Sequence, residues 1–215
     1  MEPKSTLLPR KITPHMAVAL QTTLSSCIAE ETAFREIRYV AGTDAAYEGK
    51  RAMGAAVVIE YGSLRPIETV TASCQITFPY VPGLLAFREA PVVVRALRKL
   101  RHQPDICLVD GHGLAHPRRF GLACHVGLIM DMPTIGVAKS RLIGKEYGDG
   151  LFDADGRLIA KVIRLNGKRL YVSVGNKISL SESVRIVKHC IRRNRLELLL
   201  LAHQEAEVRK WQIRN

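Results

Sequence analysis

Acidic residues are scarce in this 215-residue chain: twenty Asp and Glu stand against thirty-two Lys and Arg, for a formal charge of +12 and a pI near 9.8. A surface so short of carboxylate attracts polyanions, although net charge says nothing about fold. The five cysteines, Cys27, Cys74, Cys107, Cys124 and Cys190, include no C-x-x-C pair. That spacing argues against a structural zinc site or a disulfide framework, and Cys107 and Cys124 sit in apolar contexts typical of reduced core thiols. No apolar run reaches the roughly 18 residues of a membrane helix. Residues 1–11 lack the apolar core of a signal peptide, so the expected location is cytoplasmic, with no membrane partner. Repeats, low-complexity tracts and long linkers are also missing, and a composition that is 47% hydrophobic and 24% charged reads as one domain over 1–215. Aromatics are few, at one Trp, six Tyr and five Phe.

Apolar periodicity predicts a helix from Thr13 or Pro14 to about residue 34, then strands over 37–44, 53–60 and 67–76 separated by the turns Glu48-Gly49-Lys50 and Tyr61-Gly62-Ser63. A helix over 84–100 follows, then a buried strand Ile106-Cys107-Leu108-Val109 ending on Asp110, a helix over 119–130 and a strand over Thr134–Ala138. Beyond these lie a polar loop over 144–156, a hairpin around Asn166-Gly167, a helix capped near Ser181 with Glu182 in its first turn, and a last helix. The order β-β-β-α-β-α-β describes a ribonuclease-H-like α/β fold. It is a mixed sheet of three antiparallel strands followed by parallel strands, flanked by helices.

In a sheet of that order the first strand neighbours the strand after the first crossover, so Asp44 and Asp110 converge. Two carboxylates with room for water and phosphate suit Mg²⁺, with Mn²⁺ as a substitute. Glu89, near the start of the first crossover helix, is a third acid for metal or water, or else a helix-dipole residue; Pro91 is read as lying within the first turn. Pro79-Tyr80-Val81-Pro82-Gly83 is a stiff turn that either packs its tyrosine on the core or offers an apolar tip to replace a base. His116, Arg118 and Arg119 are suited to phosphate near Asp110. The amides of Gly111 and Gly113 allow close approach by a ligand, and Lys139 emerges at the same sheet end. His112 and His116 lack the third soft partner zinc would need. His125 reads as a satisfied core histidine, and Arg185, Lys188, Arg192 and Arg195 read as a solvated basic face or a phosphate track. His203, alone, reads as a helix-surface histidine.

Taken together, Gly42-Thr43-Asp44, Pro79-Tyr80-Val81-Pro82-Gly83, Phe87-Arg88-Glu89, Val109-Asp110-Gly111-His112-Gly113, His116-Pro117-Arg118-Arg119 and Gly136-Val137-Ala138-Lys139 closely resemble the endonuclease V family of deoxyinosine 3′-endonucleases. The resemblance implies a DNA repair nuclease that recognises hypoxanthine and, with Mg²⁺, cuts the second phosphodiester bond on its 3′ side, leaving 3′-hydroxyl and 5′-phosphate ends. It further implies that Asp44 and Asp110 hold metal, that Glu89 completes the acidic cluster and that His203 is the fourth catalytic residue. It implies too that Tyr80, Val81 and Pro82 form the strand-parting wedge and that His116 and Lys139 contact phosphate, while position alone places the base pocket at the loops near Gly83 and Gly111. The partner the resemblance implies is deoxyinosine-containing DNA, or inosine-containing RNA, with no obligate protein partner expected. The family's prolines before His203 are replaced here by Leu196-Glu197-Leu198-Leu199-Leu200-Leu201. Two other readings are a different ribonuclease-H-like nuclease, against which the wedge argues, and a nonenzymatic binder, which has no use for convergent acids near a phosphate path.

Overall fold

A computed structural model describes residues 12–34 and 36–214, the last three of these by backbone only. The N-terminal segment read for a signal peptide lies outside the described residues. Within them, no helix is long and apolar enough to cross a membrane.

The chain starts with α1 (Pro14–Leu24), which has Pro14 at its first position and Thr13 as its cap, the Thr13 hydroxyl accepting from the Met16 amide. This helix is shorter than the expected span to 34. The Ser25 and Ser26 hydroxyls donate back to the Thr22 and Thr23 carbonyls at 2.8 and 2.9 Å, a local alternative to further helix, and one 3₁₀ turn ends the segment.

Strands β1 (Tyr39–Glu48), β2 (Arg51–Glu60) and β3 (Pro66–Gln75) form an antiparallel meander, and β4 (Ile106–Asp110) and β5 (Thr134–Ala138) add in parallel through α2 (Ala86–Leu97) and α3 (Leu122–Met130). The expected ribonuclease-H-like order is present. Four more strands extend the sheet: β6 (Lys145–Tyr147), β7 (Gly150–Phe152), β8 (Leu158–Leu165) and β9 (Lys168–Asn176). The sheet order is β3-β2-β1-β4-β5-β9-β8-β7-β6. The expected 144–156 loop is thus partly a hairpin, held by Glu146, which accepts from the Tyr171 hydroxyl at 2.7 Å and from Arg169 at 3.2 Å. The chain closes with α4 (Leu180–His189), a small hairpin of β10 (Ile191–Arg192) and β11 (Arg195–Leu196), and α5 (Glu197–Arg214). The cap of α4 is Ser179, which accepts from the Glu182 amide; Ser181, the expected cap, already lies inside the helix.

Two apolar layers sandwich the sheet. Along β1, β2 and β4, Val40, Val57, Ile106 and Leu108 join the core under α4 and α5, while the alternate residues Ala41, Ala56, Cys107 and Val109 join the core under α2 and α3. Pro91 is the sixth residue of α2, past the first turn expected for it, so the Phe87 carbonyl has no i+4 amide. Helix α3 starts at Leu122 rather than 119, because Arg119 adopts a left-handed φ of 49° and Gly121 is extended.

The loop after β4 is pressed against β9. Gly113 donates to the Ser173 hydroxyl, the Leu114 amide donates to the Val174 carbonyl, and a Cβ on Gly113 would stand 1.9 Å from that same carbonyl oxygen. Gly113→Ala is therefore expected to cost about 1–3 kcal/mol through overpacking, measured as a lower midpoint in urea denaturation. Gly62→Ala, where an added Cβ meets nothing within 4 Å, should match the parent.

Candidate active site

Strand alternation decides which way the acids face. Val40 and Gly42 of β1 lie against α5, where a Cβ on Gly42 would come within 2.5 Å of Leu198. Asp44, two residues on, keeps that face, as Asp110 does after Ile106 and Leu108 in β4. The parallel register sets Thr43 against Val109, so the two aspartates stand side by side at the carboxyl ends of their strands, where open α/β sheets bind ligands. Both side chains are deep, at 14% exposure.

Each aspartate has a hydrogen-bond donor at the rim. His203 of α5 donates through Nδ1 to Asp44 at 2.7 Å, and Lys139, one residue past β5, donates to Asp110. The other Asp44 oxygen accepts the Ala45 amide at 2.7 Å. Burial raises the Asp44 pKa, and the neighbouring Asp110 charge raises it further against these donors.

Glu89 reaches the cluster from the opposite face. Odd-numbered Tyr47 of β1 points towards α2 and donates its hydroxyl to Glu89 at 2.7 Å, while the Arg88 guanidinium lies 4.6 Å from the Tyr47 ring centre. Burial pushes the Glu89 carboxyl up to about 7; the Tyr47 hydrogen bond opposes this, and the Asp44 and Asp110 charges add to it. Three acids thus converge closely enough to feel one another. Among the described residues no three metal-binding side chains are already closed around a common point. The donor chemistry nonetheless fits a hard divalent cation, because crowded carboxylate oxygens are the groups whose mutual repulsion such a cation relieves.

The 79–83 turn is held at its base with its tip outward. Phe78 and Leu84 are buried with Ala17 of α1 and pack against Val81 and Phe87, whereas Tyr80 is 69% exposed. The tyrosine therefore does not pack on the core. Gly83 has a left-handed φ of 76°, and its carbonyl accepts from Arg118 at 2.7 Å and from His116 Nε2 at 2.9 Å. A Cβ there would meet the Arg118 side chain at 2.9 Å, so both conformation and contact call for glycine. Arg118 also donates to Gln21 of α1 at 2.6 Å, and fully buried Gln21 donates onward to the Phe120 carbonyl.

This clamp redirects several residues from the roles their sequence context suggested. His116 is buried, and its Nδ1 accepts the Arg118 amide while Nε2 holds Gly83, so the ring faces the turn; burial lowers its pKa to about 4. Arg118 is committed to the same clamp and Arg119 pairs with Glu30 at 2.7 Å. Arg185 is bound by Glu182 and Tyr61, and Arg192 by the Ser63 carbonyl, so half of the expected basic track pins the β2–β3 turn. His125 is half-buried rather than a fully buried core residue, and it is not satisfied, since its buried Nδ1 has no partner. His112 Nε2 donates to the Ser140 carbonyl at 3.0 Å, with burial lowering its pKa.

Comparison with known proteins decides the family. The family model for endonuclease V matches residues 22–204. The chain belongs to the endonuclease V family. An endonuclease V from Desulfurococcus amylolyticus is 46% identical over 183 residues, covering 80% of this chain and 84% of that protein. Endonuclease V from Streptomyces avermitilis superposes with a TM-score of 0.87 at 32% identity, over 94% of this chain and 95% of that one. Endonuclease V (D234N) from Ciona intestinalis, solved with a 23mer DNA containing an inosine followed by a ribo-adenosine, gives a TM-score of 0.85 at 26% identity, over 94% and 100% of the chains.

Two residues of this endonuclease V fold escaped the sequence reading. Tyr47 follows Asp44 at the odd offset that sends it to the Glu89 face, a signal available once β1 is extended to Glu48. Gln21 gave only one signal, a polar residue among the apolar positions of an N-terminal helix.

Glu89 allows a test of the electrostatics. Its folded pKa of about 7 lies above the reference value of 4.5, so its ionisation opposes folding; the cost is nil below pH 4.5, grows between pH 4.5 and 7, and is complete above pH 7. Glu89→Gln keeps an acceptor for Tyr47 and removes the charge. In EDTA it should be more stable than the parent by ~3 kcal/mol at pH 8 and equal to it at pH 4, read by urea denaturation at each pH.

Proposed function

We propose that this chain is a metal-dependent DNA repair endonuclease that recognises deoxyinosine, the product of adenine deamination, and hydrolyses the second phosphodiester bond on its 3′ side, leaving 3′-hydroxyl and 5′-phosphate ends. The observation that carries this reading is the convergence of Asp44, Asp110 and Glu89 at one sheet end, beside a rigid turn that holds Tyr80 out in solvent. Membership of the endonuclease V family and the inosine-containing DNA bound by the Ciona relative support it.

Each residue then has a physical task. Tyr80, Val81 and Pro82 part the strand by filling the space left by a rotated base, and Gly83, fixed by His116 and Arg118, keeps that tip from folding back. The loop amides near Gly83 and Gly111 border the base. Lys139, 62% exposed, offers its ammonium to a phosphate oxygen and neutralises Asp110 until the strand arrives. Asp44 and Asp110 would hold Mg²⁺, or Mn²⁺ in its place, which when bound supplies a more acidic water and stabilises charge on the leaving oxygen. Glu89, oriented by its Tyr47 partner, accepts a proton from the attacking water. His203, oriented by Asp44 through Nδ1, gives a proton to the leaving 3′ oxygen.

The relative's bound DNA places a ribo-adenosine after its inosine, which also makes inosine-containing RNA a substrate to test. An end-labelled strand with one inosine, as DNA and as RNA, beside an adenine control and with Mg²⁺ or EDTA, should give a single cut one linkage beyond the inosine's own 3′ phosphodiester, seen only with metal. Tight binding without a cut supports the nonenzymatic binder, and inosine-independent cutting of junctions or hybrids supports another ribonuclease-H-like activity. Asp110→Ala should abolish cutting while strand binding is retained, and His203→Ala should slow turnover by ~10²-fold; an unchanged rate in the second would return His203 to an ordinary surface histidine.

A further inference from the structure

A groove of about 840 Å³ leaves the site on the face opposite the Tyr80 turn. Lys139 and His203 form its inner end, Leu199 and Leu200 of α5 lie along it, and Lys168 and Arg195 stand on its rims. We propose that this groove carries the cut strand on the 3′ side of the scissile phosphate, with Lys168 and Arg195 contacting successive backbone phosphates. The inference rests on the inosine-cleaving function above and adds where the strand runs after the cut position.

Four observations converge on it. First, the Tyr80 turn leads into α2 and packs with α1 and Phe87, whereas the groove lies between the β8–β9 hairpin and α5. Asp44 and Asp110 sit between the two faces at the strand ends, so a strand with its inosine beside the turn must cross the carboxylates before it enters the groove. A cut on the 3′ side of the inosine makes the entering flank the 3′ one.

Second, the groove's charge is available. Arg164 and Arg169 are bound to Glu146, but neither Lys168 nor Arg195 enters a salt bridge among the described residues, and both are exposed. Third, both rims are preformed. Lys168 follows the turn Asn166-Gly167, with φ values of 44° and 77°, and Arg195 follows Arg193-Asn194, with φ values of 46° and 58°. Paired left-handed residues of this kind close tight two-residue hairpins, which fix the side chains that flank them. Fourth, the groove combines cationic rims with a leucine-lined wall, matching a strand that presents phosphates along one edge and sugars and bases along the other.

The test compares parent, Lys168→Ala/Arg195→Ala and the conservative Lys168→Arg/Arg195→Lys pair. Each is assayed on inosine strands whose 3′ flank extends about two or about ten nucleotides past the cut, and on strands shortened on the 5′ side instead. Both positions are exposed, and thermal melts check that folding is kept. With a long 3′ flank the alanine pair should raise KM several-fold and leave kcat close to the parent's, the charge-preserving pair should restore KM, and the KM penalty should vanish on the short 3′ flank but survive 5′ shortening. Binding of the long strand in EDTA should show a slope of log affinity against log salt shallower by about 1.4, since about 0.7 is lost per single-strand phosphate contact.

A penalty that follows the 5′ flank, one that ignores flank length, or an unchanged salt slope overturns the groove assignment. If the parent cuts no inosine strand at all, the proposed function fails, and the salt slope in EDTA still reads the groove by itself.

Discussion

Like-charge crowding in a low-dielectric place is the constraint around which this molecule is arranged. Asp44 and Asp110 are set side by side by strand register, and Glu89 is added from the other face of the sheet. Left alone, such crowding disfavours the folded state, because burial and mutual repulsion both oppose ionisation of Asp44 and Glu89. The structure offsets the cost locally. His203 hydrogen-bonds Asp44, Lys139 pairs with Asp110, and the Tyr47 hydroxyl satisfies Glu89 without a formal charge. All three compensating groups come from different elements, so the ends of β1, β4, β5, α2 and α5 are coupled through the electrostatics of a few ångströms. Under the proposed function, a divalent cation would enter this site with the backbone already in place.

The second dependence is mechanical. An exposed tyrosine does useful mechanical work only if its base does not yield. Here the turn is fastened at both ends: Phe78 and Leu84 are buried against Ala17, and the Gly83 carbonyl is held by two side chains at once. The Arg118 guanidinium that holds it is oriented in turn by Gln21, whose amide is fully buried and spends both its polar atoms, on Arg118 and on the Phe120 carbonyl. The first helix therefore supports the tip across a long stretch of sequence. Neutral His116 suits this duty, since a buried imidazole with its pKa near 4 can donate from one nitrogen and accept at the other throughout the physiological range.

The fold was legible in the sequence because its central strands are short, apolar and bounded by acids or turns. Alternation within them also dictates that Asp44 and Asp110 share a face, once Val40, Gly42, Ile106 and Leu108 are assigned to one core layer. The sequence was less informative where side chains compete for the backbone or for one another. Ser25 and Ser26 end α1 by turning onto its own carbonyls, which a hydrophobic pattern does not reveal. The β6–β7 hairpin, expected as loop, depends on Glu146 meeting Tyr171 and Arg169 of a distant strand. His116 and Arg118 carry residue types suited to phosphate, and only the position of Gly83 shows that they are spent on the chain itself.

That last point changes how the net charge of +12 should be read. Arginines dominate the basic count, yet many described ones are structural: Arg118 and Arg119 hold the Gly83 turn and Glu30, Arg164 and Arg169 hold Glu146, and Arg185 and Arg192 hold the β2–β3 turn. A guanidinium suits such work because its fork satisfies two acceptors with one side chain. The charge left for a polyanion is therefore smaller and more local than the sequence total implies. Lys139 sits at the acids, and the unpaired cations Lys168 and Arg195 lie along the groove that begins beside it. Under the proposed strand path, the distribution of unpaired charge beside the acids, rather than its sum, sets the direction of a bound strand across the sheet.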